Sequence, residues 1–188
     1  MMRRMNLRLV LLLVLAGFAV GPLAAAERAL KVDYDQSTVD VVVKATVDSF
    51  TGRLKAYQFS GAVDAAGKVT AAELSFRFRD VVTGKEKRDT AMHEWQHTEQ
   101  FPEAKFALAA VKADPAGALR ATGSFTFHGV TRDLSFPVTV AHDGDTYAID
   151  GDAAIDTRDF GLPIIRMMLA LKVDPVVHVR FHFQAKAQ

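Results

Sequence analysis

From Leu30 to the C-terminus, apolar residues recur at every second position, and this regularity restricts the fold more than any other feature. Val39, Val41, Val43, Ala45 and Val47 alternate with Asp40, Lys44 and Asp48. Leu74, Phe76 and Phe78 alternate with Glu73, Arg77 and Arg79. Leu119, Ala121, Gly123, Phe125 and Phe127 share one face, as do Leu134, Phe136, Val138 and Val140. Tyr147, Ile149, Gly151, Ala153 and Ile155 follow, then Val177, Val179, Phe181 and Phe183. A period of two is the mark of strands with one buried face. Turn signals separate the runs: Asp64–Lys68 (DAAGK), Asp114–Gly117 (DPAG), His128-Gly129 and His142–Asp145 (HDGD). Eight or nine consecutive strands with one apolar face predict an all-β fold, an antiparallel barrel of about eight strands. A two-sheet sandwich would give a similar pattern. The phase is interrupted near Leu54–Tyr57, which predicts a bulge or bend.

Two segments break the alternation. Arg88–Phe106 (RDTAMHEWQHTEQFPEAKF) is predicted to contribute one short helical insertion, stopped before Pro102. Asp156–Lys172 (DTRDFGLPIIRMMLALK) is apolar and Met-rich, and is expected to be a loop over apolar space. The N-terminus stands apart. Arg3, Arg4 and Arg8 precede an apolar run, Leu9–Val20, then a Gly21-Pro22 break and Ala24-Ala25-Ala26. This predicts a signal peptide over Met1–Ala26, cleaved after about Ala26, and one domain over residues 27–188. The run falls short of the roughly 20 apolar residues of a membrane span, so no stable membrane insertion of the mature chain is expected. Export with no Cys means no disulfide, and a periplasmic location is expected. Losing three Arg turns a net charge of +1 into about −2. No basic patch interleaved with aromatics points to nucleic acid.

His93-Glu94-Trp95-Gln96-His97 fits H-E-x-x-H, which on a helix would place His93 and His97 one turn apart to hold zinc, with Glu94 as general base. A working site needs a third protein ligand, and the metzincin positions carry Gln100 and Glu103 instead of Gly and His. His178 and His182, four apart on a strand, lie about 13 Å from each other, too far to share an ion. No nucleophile elbow, phosphate loop or C-x-x-C is present. No catalytic or cofactor-binding residue and no metal site are therefore assigned. His93 and His97 stay as the weak metal alternative, with a zinc hydrolase as the alternative function.

The remaining signal is aromatic. The chain has 13 Phe against three Tyr and one Trp, a bias toward a dry interior. Phase places Phe76, Phe78, Phe106, Phe125, Phe127, Phe136, Phe181 and Phe183 inward. Outside the strands lie further apolar residues: Trp95, Phe101, Phe160, Ile164, Ile165, Met167, Met168 and Leu169. Phe76, Phe78, Trp95, Phe101, Phe106, Phe125, Phe127, Phe136, Phe160, Ile164, Met167, Met168 and Phe181 are the expected lining of an apolar ligand cavity. The alternative is a filled core in a structural or interaction protein.

Several stretches resemble the YceI-like family. They are Asp33–Lys44 with Thr51-Gly52-Arg53 and Phe59-Ser60-Gly61, Lys87-Arg88-Asp89 through Phe101–Phe106, Gly123–Val138 (GSFTFHGVTRDLSFPV), and Asp156–Gly161 (DTRDFG). The resemblance implies a lipocalin-like barrel in the periplasm that binds a polyisoprenoid or another long-chain amphiphile, such as a quinone, and is not an enzyme. It implies no cofactor beyond such a lipid. The lipid head group is expected near Arg88, Arg158 or Arg166. A homodimer is compatible with the pattern.

Overall fold

The computed structural model describes residues 27–46, 48–167 and 171–188. The signal-peptide reading of Met1–Ala26 and the cavity residue Met168 lie outside the described residues, and Met167 is described by its backbone only.

The strands are β1 (Arg28–Val43), β2 (Phe50–Leu54), β3 (Gln58–Val63), β4 (Val69–Arg77), β5 (Val81–Val82), β6 (Glu103–Ala113), β7 (Leu119–Phe127), β8 (Val130–Asp143), β9 (Thr146–Asp156), β10 (Arg166–Met167), β11 (Leu171–Lys172) and β12 (Val176–Ala187). The one helix among the described residues, α1, spans Glu86–Gln96. The strand count exceeds the eight or nine expected because two walls are interrupted. Lys55–Tyr57 separates β2 from β3, where the broken phase predicted a bend, and a 3-10 turn at Phe78–Asp80 separates β4 from β5. The two interruptions face each other, and the Lys55 N–H donates to the Asp80 carbonyl at 2.8 Å. With each interrupted pair counted as one wall, eight antiparallel strands follow one another around a ring in chain order. The ring closes where β12 pairs with β1, from Leu30↔Ala187 to Val42↔His178. The short β10–β11 hairpin stands apart, inside the segment expected to be a loop. That segment also holds a 3-10 turn, Thr157–Phe160.

Local chemistry explains the corners. Asp64 and Asp114 each accept two backbone N–H groups through Oδ1, from Ala66 and Lys68 and from Ala116 and Ala118. At the other end of the barrel, His128 and Gly129 have φ of 50° and 73°, the two positive values a type I′ hairpin requires. Helix α1 starts with Glu86 and Asp89 in its first turn, where the helix dipole favours acids. Asp89 also accepts from the Thr83 N–H and hydroxyl, at 3.0 and 2.6 Å. The helix ends because His97 adopts a left-handed conformation, φ 54°, with its N–H returned to the Glu94 carbonyl at 3.2 Å.

Inside, the end carrying the Asp64 and Asp114 turns is closed by Val63 and Tyr147, both fully buried, with Leu30, Val69 and Ala187. Two glycines let large rings lie flat on the inner wall. A Cβ on Gly123 would come within 2.7 Å of the Phe106 ring and overlap the Ala107 carbonyl. A Cβ on Gly151 would run into the ring of Phe181, its cross-strand partner. Gly123→Ala and Gly151→Ala should each lower stability by about 1–3 kcal/mol, the cost of overpacking, measured as a shift of the urea unfolding midpoint.

Candidate functional site

Alternation turns one side chain in two toward the barrel axis, and the rings that arrive there do not fill it. They line an apolar tunnel of two joined chambers. The lower chamber has a free volume of about 110 Å³, and every residue lining it is Val, Leu, Ile, Ala or Phe. The upper chamber, about 90 Å³, lies beneath α1. Val41, Phe76, Val81, Phe125, Ile155 and Val179 border both chambers. Cavities of this kind stay dry and accept apolar guests. The filled-core alternative is thereby set aside.

The upper chamber is roofed by Met92 and Trp95, three residues apart on one face of α1. The Trp95 indole N–H donates to the Pro163 carbonyl at 2.9 Å and ties the helix to the segment after β9. Behind it, Gln96 is fully buried. Its amide donates to the Phe101 carbonyl at 2.9 Å, and its oxygen accepts from the Thr98 hydroxyl at 2.6 Å. The hydroxyl of Thr157, the upper chamber's one lining side chain outside the aliphatic, aromatic and Met set, donates to the Pro175 carbonyl at 3.1 Å.

Of the cavity residues expected from sequence, Phe76 and Phe125 line both chambers, Phe106, Phe136 and Phe181 the lower, and Phe78, Trp95 and Phe127 the upper. Three are placed elsewhere. Phe101 lies outside the tunnel against His128, with ring centroids 4.2 Å apart, and over Gly129, where the absence of a Cβ makes room. Phe160 is buried behind the wall, packed on Phe125 and Phe127 at 5.5 and 5.7 Å. Ile164 is half-buried and touches neither chamber. Phe59, Phe183, Val81 and Met92 line the tunnel without having been selected. Phase pointed to Phe183. The spacing from Trp95 pointed to Met92. Val81 follows a 3-10 turn, and no local pattern marks it.

His93 and His97 do not form the arrangement that H-E-x-x-H requires. His97 has left the helix, so the two rings do not stand on successive helical turns. His93 turns edge-on to Phe78, at 6.1 Å, with Nδ1 3.4 Å from the Thr98 hydroxyl. Among the described residues no three His, Cys, Asp or Glu side chains are grouped to hold a metal. His178 and His182 sit on the outer wall, each with Nδ1 2.7 Å from a carboxylate oxygen, of Asp152 and Asp150 respectively.

The arginines expected to meet a head group are differently committed. Arg88 lies over the Phe50 ring at 4.1 Å and reaches Asp48 at 3.4 Å. Arg166 is exposed. Arg158 chelates Asp156, which also accepts the Arg158 backbone N–H at 3.0 Å and so caps the turn that carries Thr157 and Phe160. Those bonds from Arg158 hold the Asp156 carboxyl below its ordinary value, against the opposing effect of burial.

Fold and site together define an all-β barrel of lipocalin-like build: eight antiparallel strands around an apolar tunnel, with one helix across an end. Residues 30–185 match the family model of the YceI-like domain, and the chain belongs to that family. Solved structures agree on the fold. The chain resembles BcnA of Burkholderia cenocepacia at 23% identity and a TM-score of 0.73, covering 83% of this chain and 100% of that one. It resembles a polyisoprenoid binding domain from Saccharophagus degradans, implicated in plant cell wall breakdown, at 17% identity and a TM-score of 0.61, covering 87% and 100%. The YCEI protein of Campylobacter jejuni follows at 14% identity and a TM-score of 0.64, covering 76% and 87%. No curated protein sequence matches the chain.

Because the folded-state pKa of Asp156 is depressed, its pairing stabilises the protein above the unfolded value of about 3.9, and the contribution is lost as pH falls through the lower folded value. Asp156→Asn should lower the urea midpoint at neutral pH, and the gap from wild type should close as the pH drops below about 3.9.

Proposed function

We propose that this protein binds and carries a single long apolar chain of isoprenoid type, the tail of a quinone among them, in the periplasm. The observation that carries the reading is the lining of the lower chamber, where no side chain has a polar atom. No titratable side chain lines either chamber, so what the tunnel offers a guest is solvation of hydrocarbon. Burial is worth about 0.8 kcal/mol per methylene, so a tail of about ten carbons gains on the order of 8 kcal/mol before ordering costs. Family membership supports the reading, as does the likeness to the polyisoprenoid binding domain from Saccharophagus degradans. The leader-like N-terminus supports export. Among the described residues no helix is long and apolar enough to cross a membrane.

Organic extraction of natively purified protein, followed by mass spectrometry, should yield an isoprenoid or similar long-chain lipid in near-stoichiometric amount. Ala121 is buried on the wall of the lower chamber. Ala121→Phe should fill the space, keep the barrel folded by circular dichroism, and strip the lipid from the extract. An extract free of lipid, from a wild-type protein that takes up no added polyprenol or quinone, rejects the function.

A further inference from the structure

One seam of the barrel is not laddered. On its β3 side, β1 pairs only through Arg28 and Ala29. On its β2 side it pairs from Asp40 to Val43. Between Leu30 and Val39 it has no ladder partner across this seam, and over the same stretch its register with β12 slips between Asp33 and Thr38. A side chain stands in for the missing ladder: the Phe59 backbone N–H donates to the Tyr34 hydroxyl at 3.3 Å. Tyr34 is also the one large hydrophobic side chain left exposed among the described residues, at 51%.

Tyr57 lies at this seam, where β3 resumes after the break. Its ring packs on Tyr34 at 5.2 Å and on Phe183 at 5.9 Å, and Phe183 in turn packs on Phe59 at 4.7 Å. Phe59 and Phe183 both line the lower chamber, so Tyr57 stands one ring behind the tunnel wall. Its hydroxyl is buried and makes no hydrogen bond. The neighbouring Ser37 hydroxyl donates to the Asp33 carbonyl at 2.6 Å and accepts the Gln184 N–H at 3.0 Å. A buried donor without a partner costs the desolvation of that group. Tyr57→Phe would remove that cost at no loss of packing. The Tyr147 hydroxyl is likewise buried and unpaired, but at the closed floor, whereas Tyr57 stands at the open seam.

We propose that the Tyr57 hydroxyl, at the open β1–β3 seam, is a ligand subsite that donates a hydrogen bond to a neutral oxygen, of the carbonyl type, on the polar end of the chain held in the tunnel. The inference rests on the carrier reading and names the end group that reading leaves open. The acceptor is neutral, because an anion drawn into the seam would pass the carboxylates of Asp33 and Asp35, exposed at its outer edge. Burial raises the Tyr57 pKa and the nearby Tyr34 adds to it, outweighing the Ser37 hydroxyl, which lowers it, so the phenol stays protonated and remains a donor.

The test uses three probes sharing one isoprenoid tail: geranylgeranylacetone (a ketone), geranylgeranyl phosphate (an anion) and the hydrocarbon left when the hydroxyl of geranylgeraniol is replaced by hydrogen. Affinities are read from the emission of Trp95, the chain's single Trp, on the wall of the upper chamber. Wild type should bind the ketone about tenfold more tightly than the hydrocarbon, as one hydrogen bond made by an otherwise unpaired donor allows, and the phosphate most weakly. In Tyr57→Phe the ketone-to-hydrocarbon ratio should fall to about one. Infrared spectra of the bound ketone need no variant: its carbonyl stretch in wild type should lie below the value in hexane. Hydrocarbon binding with no preference for the ketone, a preference that survives Tyr57→Phe, or an unshifted carbonyl stretch overturns the subsite and leaves the carrier function standing. Failure of wild type to bind any of the three overturns both.

Discussion

The pairing of β12 with β1 is the interaction on which the rest depends. Without it the molecule would be an open sheet with two long edges, each a template for association. With it, eight walls enclose an interior whose width follows from strand number and tilt. The chain has no Cys to hold the ring shut, so closure rests on the ladder and on the side chains packed across it. On the outer face ion pairs tie the two closing strands to their other neighbours, Asp40 of β1 to Arg53 of β2 and Arg180 of β12 to Asp152 of β9. These are exposed and contribute modestly. The inner face carries Val39, Phe183 and Ala185, all buried. Closure also joins the two ends of the chain, so the barrel forms only when its most distant strands meet, a topology that folds slowly.

Closure fixes the frame, and residue size then shapes the space within it. The pairing of glycine with phenylalanine is the clearest case: Gly123 and Gly151 give up side chains so that Phe106 and Phe181 can lie along the wall. At the closed end Tyr147 and Val63 seal the floor. The roof is built differently. Helix α1 offers the tunnel little beyond Met92 and Trp95, and it is held by polar contacts: the Trp95 indole on Pro163, Asp89 on Thr83, and Gln96 on Phe101. Little apolar surface anchors it, so it belongs to the less stable end of the structure, where local opening costs least.

Much of this is legible in the sequence because strand periodicity is local. Alternation alone placed Phe76, Phe106, Phe125, Phe136 and Phe181 on the inner wall, and the DAAGK and DPAG turns carry their own side-chain bonds. What failed was whatever depended on partners distant in the chain. Phe101 is as apolar as Phe106, yet Pro102 turns the chain between them, and Phe101 finds the bare face of Gly129 instead of the tunnel. Five letters matching a zinc motif say nothing about the left-handed turn that takes His97 off the helix. The open seam beside Tyr34 is the furthest from local reading. It is a missing set of hydrogen bonds between β1 and β3, and all that marks it locally is the change of apolar phase in β1 from Leu30 and Val32 to Val39 and Val41, across the polar run Asp33–Thr38.

The voids supply a separate argument about purpose. In the large-to-small core series of another protein, residual cavity costs about 24 cal/mol per Å³. Chambers of about 110 and 90 Å³ therefore weigh on the order of 5 kcal/mol against folding if nothing occupies them. Small domains are stable by only about 5–15 kcal/mol. A methyl or two added at Ala72, Ala121 or Ala153, each of which borders the lower chamber, would take up part of that space. Cavity filling is among the commonest routes to a more stable protein. A structural barrel gains nothing by leaving those alanines in place. A carrier does, because a guest that binds only the folded state returns the same stability by mass action. The tunnel and the unpaired Tyr57 hydroxyl are then two instances of one pattern, groups left unsatisfied by the protein's own chain in positions where a long amphiphile can satisfy both.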